Sequence, residues 1–598
     1  MAMPWNEGEE RMQQLMHVPE RGNPTATTLT PQAMYLLQRA PLLAIGTLDS
    51  QERPWTTLWG GQTGFSEHLG GKMIGTRTLV DGEKDPVVQA LAGGATTNGE
   101  MIQGNDKMVS GLTIDLMMRK RVKLFGRVLA ASLGEAKVQV EGDEQQQDGV
   151  PRAQHQLQLV TNIEQSLGNC PKYLNQYELK PTLVTSKLTS QSPSLSAEAK
   201  TLISQADMFF LTTSTPTDMD TNHRGGPAGF VRILSDTEIV YPEYSGNRFY
   251  QSLGNLQINP RIGLVFPNYD TGDVLYMTGT AEVLVLDDAA KLLPGSNLAV
   301  KITTEEVRYV ASGLPFRGIR NTPSPYNPAV RTLASEGNIK ASYASCPRQS
   351  ATLIDRTLIT PTIARLRFST PEGISYKPGQ WVALDFSKEL DMGYSHMRDD
   401  DPTSLNDDFI RTFTISSKPD EEPDMSKEFE ITIRKVGPVT SFLFRTNDIG
   451  SLQIPVLGVG GEFYIERNEK EISFVAGGVG ITPLLSQWPS LSEDHLTKLN
   501  LFWSIRAEDI DFVADVFERY PGLARRTQVY LTGYKDFEDV NEKIKKIDEQ
   551  GATVRKQRLT KDGLNGSNKW YICASKGLRK VLLEWLEGKD VEFEDFDY

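Results

Sequence analysis

Cysteine is too scarce in this chain for most of the chemistry that cysteine does. Three stand in 598 residues: Cys170, Cys346 and Cys573, far apart and odd in number. They make no disulfide framework. They also fall short of the four clustered thiolates of a plant-type iron–sulfur cluster, which excludes that electron carrier within the chain. Histidine is scarce too, at 6 residues, and no H-x-x-x-H or Cys/His cluster marks a metal site. His17, His68, His155, His396 and His495 read as surface residues, and only His223 adjoins a motif of interest. No G-x-S-x-G setting for a nucleophile is present. Basic charge is not in excess: the net charge is −14, which argues against a nucleic-acid binder but leaves room for a local basic pocket. No apolar run is long enough to span a bilayer. The first residues, "MAMPWNEGEERMQQLMH", show no basic region followed by an apolar stretch, and "FEDFDY" is no lipidation or organelle address. A cytosolic protein is expected, with neither nucleic acid nor membrane as partner.

What the sequence does have is length for several cores, roughly three to five domains. After about residue 470, short β-rich strands alternate with helices. "EISFVAGG", "LNLFWSIR", "TQVYLTGY" and "KWYICAS" are separated by "IDFVADVFERY" and "EDVNEKIKKIDEQ", with "GLRKVLLEWLEG" last. This predicts a parallel sheet, whose ligands sit at the carboxyl ends of the strands. Gly477, Gly478 and Gly480 fall at the first strand end, where backbone can approach a pyrophosphate at a helix start. The spacing is not G-x-G-x-x-G, and a tight strand–helix turn is an equally good reading of these glycines alone.

Residues 350–465 read as many short strands with turn signals, a small antiparallel barrel. It contains "RTFTISS" (Arg411–Ser417), "RKVGPVTSFLF" (Arg434–Phe444) and "GGEFYI" (Gly460–Ile465). Arg411 has the planar fork that grips a diphosphate. Thr440 and Ser441 follow a Gly-Pro turn at a helix start, a second anion site. In their order, these motifs and "GGVGITP" resemble the ferredoxin–NAD(P)H reductase superfamily. "YICAS" stands where that family has Y-x-C-G-P, and "EDF" resembles its terminal E-x-F. The resemblance implies that Arg411, Phe413 and Thr414 hold FAD with Thr440 and Ser441. It implies that Gly477, Gly478, Gly480, Thr482 and Pro483 hold NAD(P)H, with Cys573, Glu594 and Phe596 near the nicotinamide. Phe413 replaces the family's Tyr, and Ala574 and Ser575 replace Gly-Pro. Cys573 also reads as a buried strand thiol and Phe596 as a frayed terminal aromatic. Ser504 and Arg506 stand where the family reads the second ribose. An arginine suits a 2′-phosphate and so NADPH over NADH, but a solvated surface charge is the other reading.

Upstream, residues 40–130 and 205–290 look like two copies of one unit. The second copy carries "NHRGGPAGFVRIL", with Arg224, Gly225, Gly226 and Arg232. It also carries "YSGNRFYQSLGN", with Ser245, Asn247, Arg248 and Asn255. Arginines, a hydroxyl and amides suit a phosphate monoester; "SGNR" is also a good hairpin turn. These stretches, with "NPRIGLVF" and "SLGNCPKYL" (Ser166–Leu174), resemble the pyridoxamine 5′-phosphate oxidase-like split barrels. That superfamily binds FMN at a dimer interface, which a tandem copy makes within one chain. The first copy lacks an S-G-N-R block, so one FMN per chain is expected.

The expected fold is multidomain: β split barrels, then an antiparallel FAD-binding β-barrel and an α/β parallel-sheet NAD(P)-binding domain. The expected divisions are 1–195 (first copy with an N-terminal extension), 196–320 (second copy, FMN-binding), 321–349 (linker, with the proline-rich "TPSPYNPAVR"), 350–468 and 469–598. The expected function is a two-flavin oxidoreductase. Electrons would pass from NADPH or NADH through FAD to FMN and on to a small-molecule acceptor or oxygen, in a homodimer or an intrachain pseudo-dimer. The alternatives are an FAD-only reductase whose split barrel binds substrate or haem, and one whose barrel is a ligand-sensing or docking module serving a separate carrier protein.

Overall fold

A computed structural model describes residues 3–93, 99–104, 106–137, 153–336, 349–420, 425–466, 471–491, 498–565 and 569–594. The chain divides into two compact units. One holds Met1–Asn338 together with Tyr394–Asp407, the other Ile339–Gly393 and Asp408–Tyr598. Among the described residues no helix is long and apolar enough to cross a membrane.

The first unit holds two antiparallel sheets. In space, the first runs Pro54–Gly60, Leu42–Leu48, Met108–Asp115, Lys120–Lys137, Ala153–Asn169, Met73–Leu79, Ser66–Gly70. The second runs Met219–Gly225, Met208–Ser214, Arg261–Pro267, Val274–Val285, Leu298–Ala311, Glu238–Pro242, Arg232–Ile233. Counted along the chain over these seven strands, both orders are 2-1-5-6-7-4-3; an eighth strand lies off each path, Met101–Gln103 beside Lys120–Lys137 and Lys187–Ser192 beside Leu298–Ala311. Each sheet is entered by a helix, Pro31–Arg39 or Ala197–Gln205. Each carries another between its fourth and fifth strands, Pro86–Ala92 or Gln251–Ile258. The long sixth strands bend through β-bulges, at Phe125/Gly126 and at Thr278/Gly279. The glycine has the same cause in both. A Cβ on Gly126 would lie 2.0 Å from the Asn162 carbonyl oxygen, and one on Gly279 2.1 Å from that of Thr303.

The two sheets share one core, in which Leu43, Trp55 and Trp59 pack with Phe210, Val265 and Tyr276. Their seam is lined by small hydroxyls. Thr56 Oγ1 donates to Thr212 Oγ1 at 2.8 Å and to the Gly263 carbonyl at 2.9 Å, and Ser110 Oγ lies 2.6 Å from Thr221 Oγ1. Each buried aliphatic or aromatic side chain of the shared core contributes about 1.5–3 kcal/mol. The proline-rich stretch does not hang free. Ser324 and Tyr326 are buried, and Ser324 bonds both Tyr173 and Asn175.

The second unit begins with a six-stranded antiparallel sheet in the order Ile410–Thr414, Trp381–Asp385, Gln453–Gly460, Gln349–Leu358, Ile363–Ile374, Ser426–Arg434. A bridge between Ile415 and Ile431 joins its two ends and closes it into a barrel. A parallel sheet follows, in the order Thr553–Arg555, Thr527–Thr532, Leu499–Arg506, Ile472–Gly477, Lys569–Cys573, Asp590–Phe593. An ion-pair seam connects barrel and sheet. The Asp509 carboxylate is fully buried; it meets Arg434 at 2.7 Å and accepts from Thr360 Oγ1 at 2.8 Å and Thr362 Oγ1 at 2.5 Å.

Candidate functional site

A ligand of a parallel sheet lies where neighbouring connections depart in opposite directions. Here that point falls between Ile472–Gly477 and Lys569–Cys573: the chain first builds outward from Ile472–Gly477 on one side, then returns to its other side. The glycine turn and Cys573 therefore flank one crevice. Gly478 takes φ 57°, a conformation costly for other residues, and Trp503 Nε1 fixes its carbonyl at 2.9 Å. Gly480 is small for another reason, since a Cβ there would lie 2.0 Å from the Cys573 carbonyl oxygen. Thr482 and Pro483 open a buried helix, Thr482–Gln487.

Ser504 pairs with Gly477 across the parallel register and is half-buried. Arg506, at the end of the same strand, is exposed and lies 3.1 Å from Glu508. Burial pushes the Cys573 thiol far above its ordinary range, with Glu594 adding to the effect. Glu594 is buried just past the last strand, its carbonyl accepting from Arg579 at 3.3 Å. Phe596 lies outside the described residues.

In the antiparallel barrel, Arg411 pairs with Leu384 on the neighbouring strand. Its guanidinium donates to the Ile410 carbonyl at 2.9 Å and lies 3.7 Å from Asp408. Thr414 is buried beside it, and Phe413 packs edge-on to Phe386, with ring centroids 6.4 Å apart. The helix Pro438–Arg445 follows the strand Ser426–Arg434, which the Ile415–Ile431 bridge sets beside this one. Thr440 Oγ1 accepts from the amides of Val436 at 2.9 Å and Gly437 at 3.0 Å, so this hydroxyl closes the turn before the helix. Ser441 is half-buried on the same first turn. A Cβ on Gly437 would meet nothing within 4 Å, so the helix start is open to an approaching anion.

In the first unit, the residues singled out from the sequence do not all converge. Ser245, Asn247 and Arg248 lie on one turn beside the Ser166–Leu174 stretch: Asn247 Nδ2 donates to Asn169 Oδ1 at 3.2 Å, and the Tyr173 hydroxyl donates to the Ser245 carbonyl at 2.7 Å. Gly225 lets the backbone pass, since a Cβ there would lie 2.1 Å from the Tyr173 carbonyl oxygen. Arg224 is ion-paired to Glu243 at 2.7 Å; burial alone would lower its pKa, but the carboxylate outweighs it. Arg232 pairs with Glu336. Asn255 is buried in a helix, accepting from Asn6 at 3.2 Å and donating to Thr213 at 3.3 Å.

Three cations that the sequence reading passed over stand close by. Lys172 is fully buried, and burial lowers its pKa to about 8. Arg121 is buried with Nη1 3.1 Å from His223 Nδ1, and Lys123 is paired to Asp220 at 2.7 Å. Burial holds His223 neutral, and its Nε2 has no hydrogen-bond partner among the described residues. The signal for Arg121 and Lys123 was two cations alternating in the apolar strand "RVKLF", and for Lys172 its place in "SLGNCPKYL". A buried cationic group with an unpaired imidazole nitrogen suits a phosphate monoester.

Residues 195–311 match the pyridoxamine 5′-phosphate oxidase family. The chain is similar to a flavohemoprotein from Oceanobacillus iheyensis, 24% identical over 187 residues, covering 28% of this chain and 42% of that protein. It is also similar to a ferredoxin–NAD(P)+ reductase component of naphthalene 1,2-dioxygenase/salicylate 5-hydroxylase systems from Ralstonia sp., 24% identical over 181 residues, covering 30% and 46%. The chain joins a pyridoxamine 5′-phosphate oxidase-like barrel to a ferredoxin reductase-like module. It spans less than half the length of these curated relatives. A solved ferredoxin NADP+ reductase from Neisseria gonorrhoeae with bound FAD and NADP aligns at 16% identity and TM-score 0.27, covering 42% of this chain and 97% of that one. The oxidase-like match spans the second sheet of the first unit, with Arg224, Gly225 and Arg232 on its strands, together with the turn of Ser245, Asn247 and Arg248 and the helix of Asn255.

Proposed function

We propose that the chain is an NAD(P)H-dependent oxidoreductase that uses two flavins, FAD in the reductase-like module and FMN in the oxidase-like barrel, to reduce a small-molecule acceptor or oxygen. The observation that carries this reading is the buried cationic cluster beside the Ser245–Arg248 turn, in a chain that also has the reductase-like crevice. Bound flavins accept a two-electron equivalent and release electrons singly or in pairs. The chain's own residues bind and orient. Arg411, Thr414 and the helix start at Gly437–Ser441 would hold a diphosphate. The Gly477–Pro483 turn and Ser504 would seat the nicotinamide nucleotide against the strand ending in Cys573. Lys172, Ser245, Asn247 and Arg248 would hold a phosphate monoester. The exposure of Arg506 leaves it able to turn toward a 2′-phosphate, which favours NADPH.

One observation favours a second reading, an FAD-only reductase with a docking barrel: the Ser245–Arg248 turn is already contacted by the segment Tyr394–Asp407. The double variant Asn247→Ala, Arg248→Ala separates the two readings. Under the two-flavin reading it purifies without FMN and with FAD. Its FAD is bleached by NADPH in stopped flow at near the wild-type rate, while NADPH oxidation coupled to oxygen or a small acceptor falls at least tenfold. Ferricyanide reduction, which can draw on an exposed reduced FAD, persists. Unchanged acceptor turnover in an FMN-free variant places FMN off the path and favours the docking reading.

A further inference from the structure

The stretch "YSHMRDDDPTSLND" lies in sequence between the barrel strands Trp381–Asp385 and Ile410–Thr414, yet by its contacts Tyr394–Asp407 is part of the first unit. It carries four aspartates, at 399, 400, 401 and 407. Its partners are the groups assigned above to a phosphate. The Tyr394 ring covers the Arg248 guanidinium at 3.6 Å, and its hydroxyl donates to the Gly246 carbonyl at 2.9 Å. The His396 carbonyl accepts from Lys172 Nζ at 2.6 Å. Asn406 Oδ1 accepts from the Ser245 amide at 2.9 Å, while its Nδ2 donates to the Tyr173 hydroxyl at 2.9 Å. Asp399 accepts from Tyr326 at 2.5 Å.

Two further features point the same way. Tyr173, Arg248 and Tyr250 all hold positive φ, 64°, 59° and 59°, an uncommon concentration of strained non-glycine backbone around one turn. A buried ammonium is costly unless well partnered; here a neutral carbonyl from the segment is the acceptor of Lys172 among the described residues. A dianion is the better partner for that charge.

We propose that Tyr394–Asp407 is an acidic strap that competes with a phosphate monoester for Lys172, the Ser245 amide and the face of Arg248. The inference rests on the two-flavin reading for the identity of the ligand, FMN. With the strap down, these three groups are satisfied within the chain; with the phosphate bound, the strap gives them up. The next residue after the strap, Asp408, lies 3.7 Å from Arg411, and three residues of chain separate the strap from the arginine assigned to the FAD diphosphate.

The test uses the full-length chain titrated with FMN, by quenching of flavin fluorescence, and with riboflavin, which lacks the phosphate. If the strap is docked in about nine molecules of ten, releasing it with Tyr394→Ala and Asn406→Ala tightens FMN about tenfold and riboflavin far less. A second measurement needs no variant. Arg398 is 9% exposed, and trypsin cleavage after it should speed up when FMN or inorganic phosphate is added to wild type. Weaker or unchanged FMN binding in the variant, with slower cleavage on adding ligand, overturns the proposal and makes the segment a lid. If FMN binds neither protein but phosphate still speeds cleavage, the strap stands and the FMN reading falls. If phosphate also has no effect, both fall.

Discussion

Asp509→Ala should lower the stability of the second unit by about 3 kcal/mol, the low end of the 3–5 kcal/mol typical of breaking a buried ion pair. The carboxylate is fully buried, and its removal strands the Arg434 guanidinium and the hydroxyls of Thr360 and Thr362. The low end applies because Arg434 keeps Glu508 at 3.5 Å. For a unit of this size that is a fall of roughly 6–12 °C in its melting transition. Asp509→Asn, which keeps an oxygen for the threonines, should recover part of it. Because the same seam joins barrel and parallel sheet, the alanine variant should also lose NADPH-driven bleaching of FAD before it loses FAD. Differential scanning calorimetry with flavin absorbance checks both, and equal melting in variant and wild type would show that the seam holds nothing together.

Arg411→Ala should purify depleted in FAD and retain FMN. A charged hydrogen bond is worth about 1.5–3 kcal/mol, or roughly 10- to 100-fold in affinity. Arg411→Lys should restore only part of it, because an ammonium cannot match two phosphate oxygens at once. The geometry permits this role: Arg411 lies on a barrel strand paired through Leu384, and the antiparallel Ile415–Ile431 bridge sets that strand beside the one that leads into the open helix start at Gly437. FAD retention on dilution equal to wild type would remove Arg411 from the site.

The second unit was readable because its signals are local. Four of the six parallel strands are short apolar runs ending in turn residues, and the glycine turn marks the crevice from within one heptapeptide. The first unit was harder. Its two sheets share a strand order and a bulge glycine, Gly126 and Gly279, but topology is written in pairings between residues far apart in the chain, and these leave little trace in residue identity. The same distance hid part of the site. Arg224 and Arg232 looked like phosphate ligands because they are neighbours in sequence, whereas Glu243 and Glu336 engage them in space. Lys172 was hidden because nothing in "NCPKYL" says that its lysine is buried. The strap was invisible for a related reason: "MRDDDPTSLNDD" has the composition of a solvated loop, and only the fold brings it against a cationic cluster.

The account turns on two flavins in one chain. Its most direct test is to denature the purified full-length protein, separate the released flavins by chromatography and count them against polypeptide. One FAD and one FMN per chain is the expected result, with FMN lost selectively from the Asn247→Ala, Arg248→Ala variant. FAD alone, even after the protein has been saturated with FMN and freed of excess, would contradict the account and leave the oxidase-like barrel as a docking module.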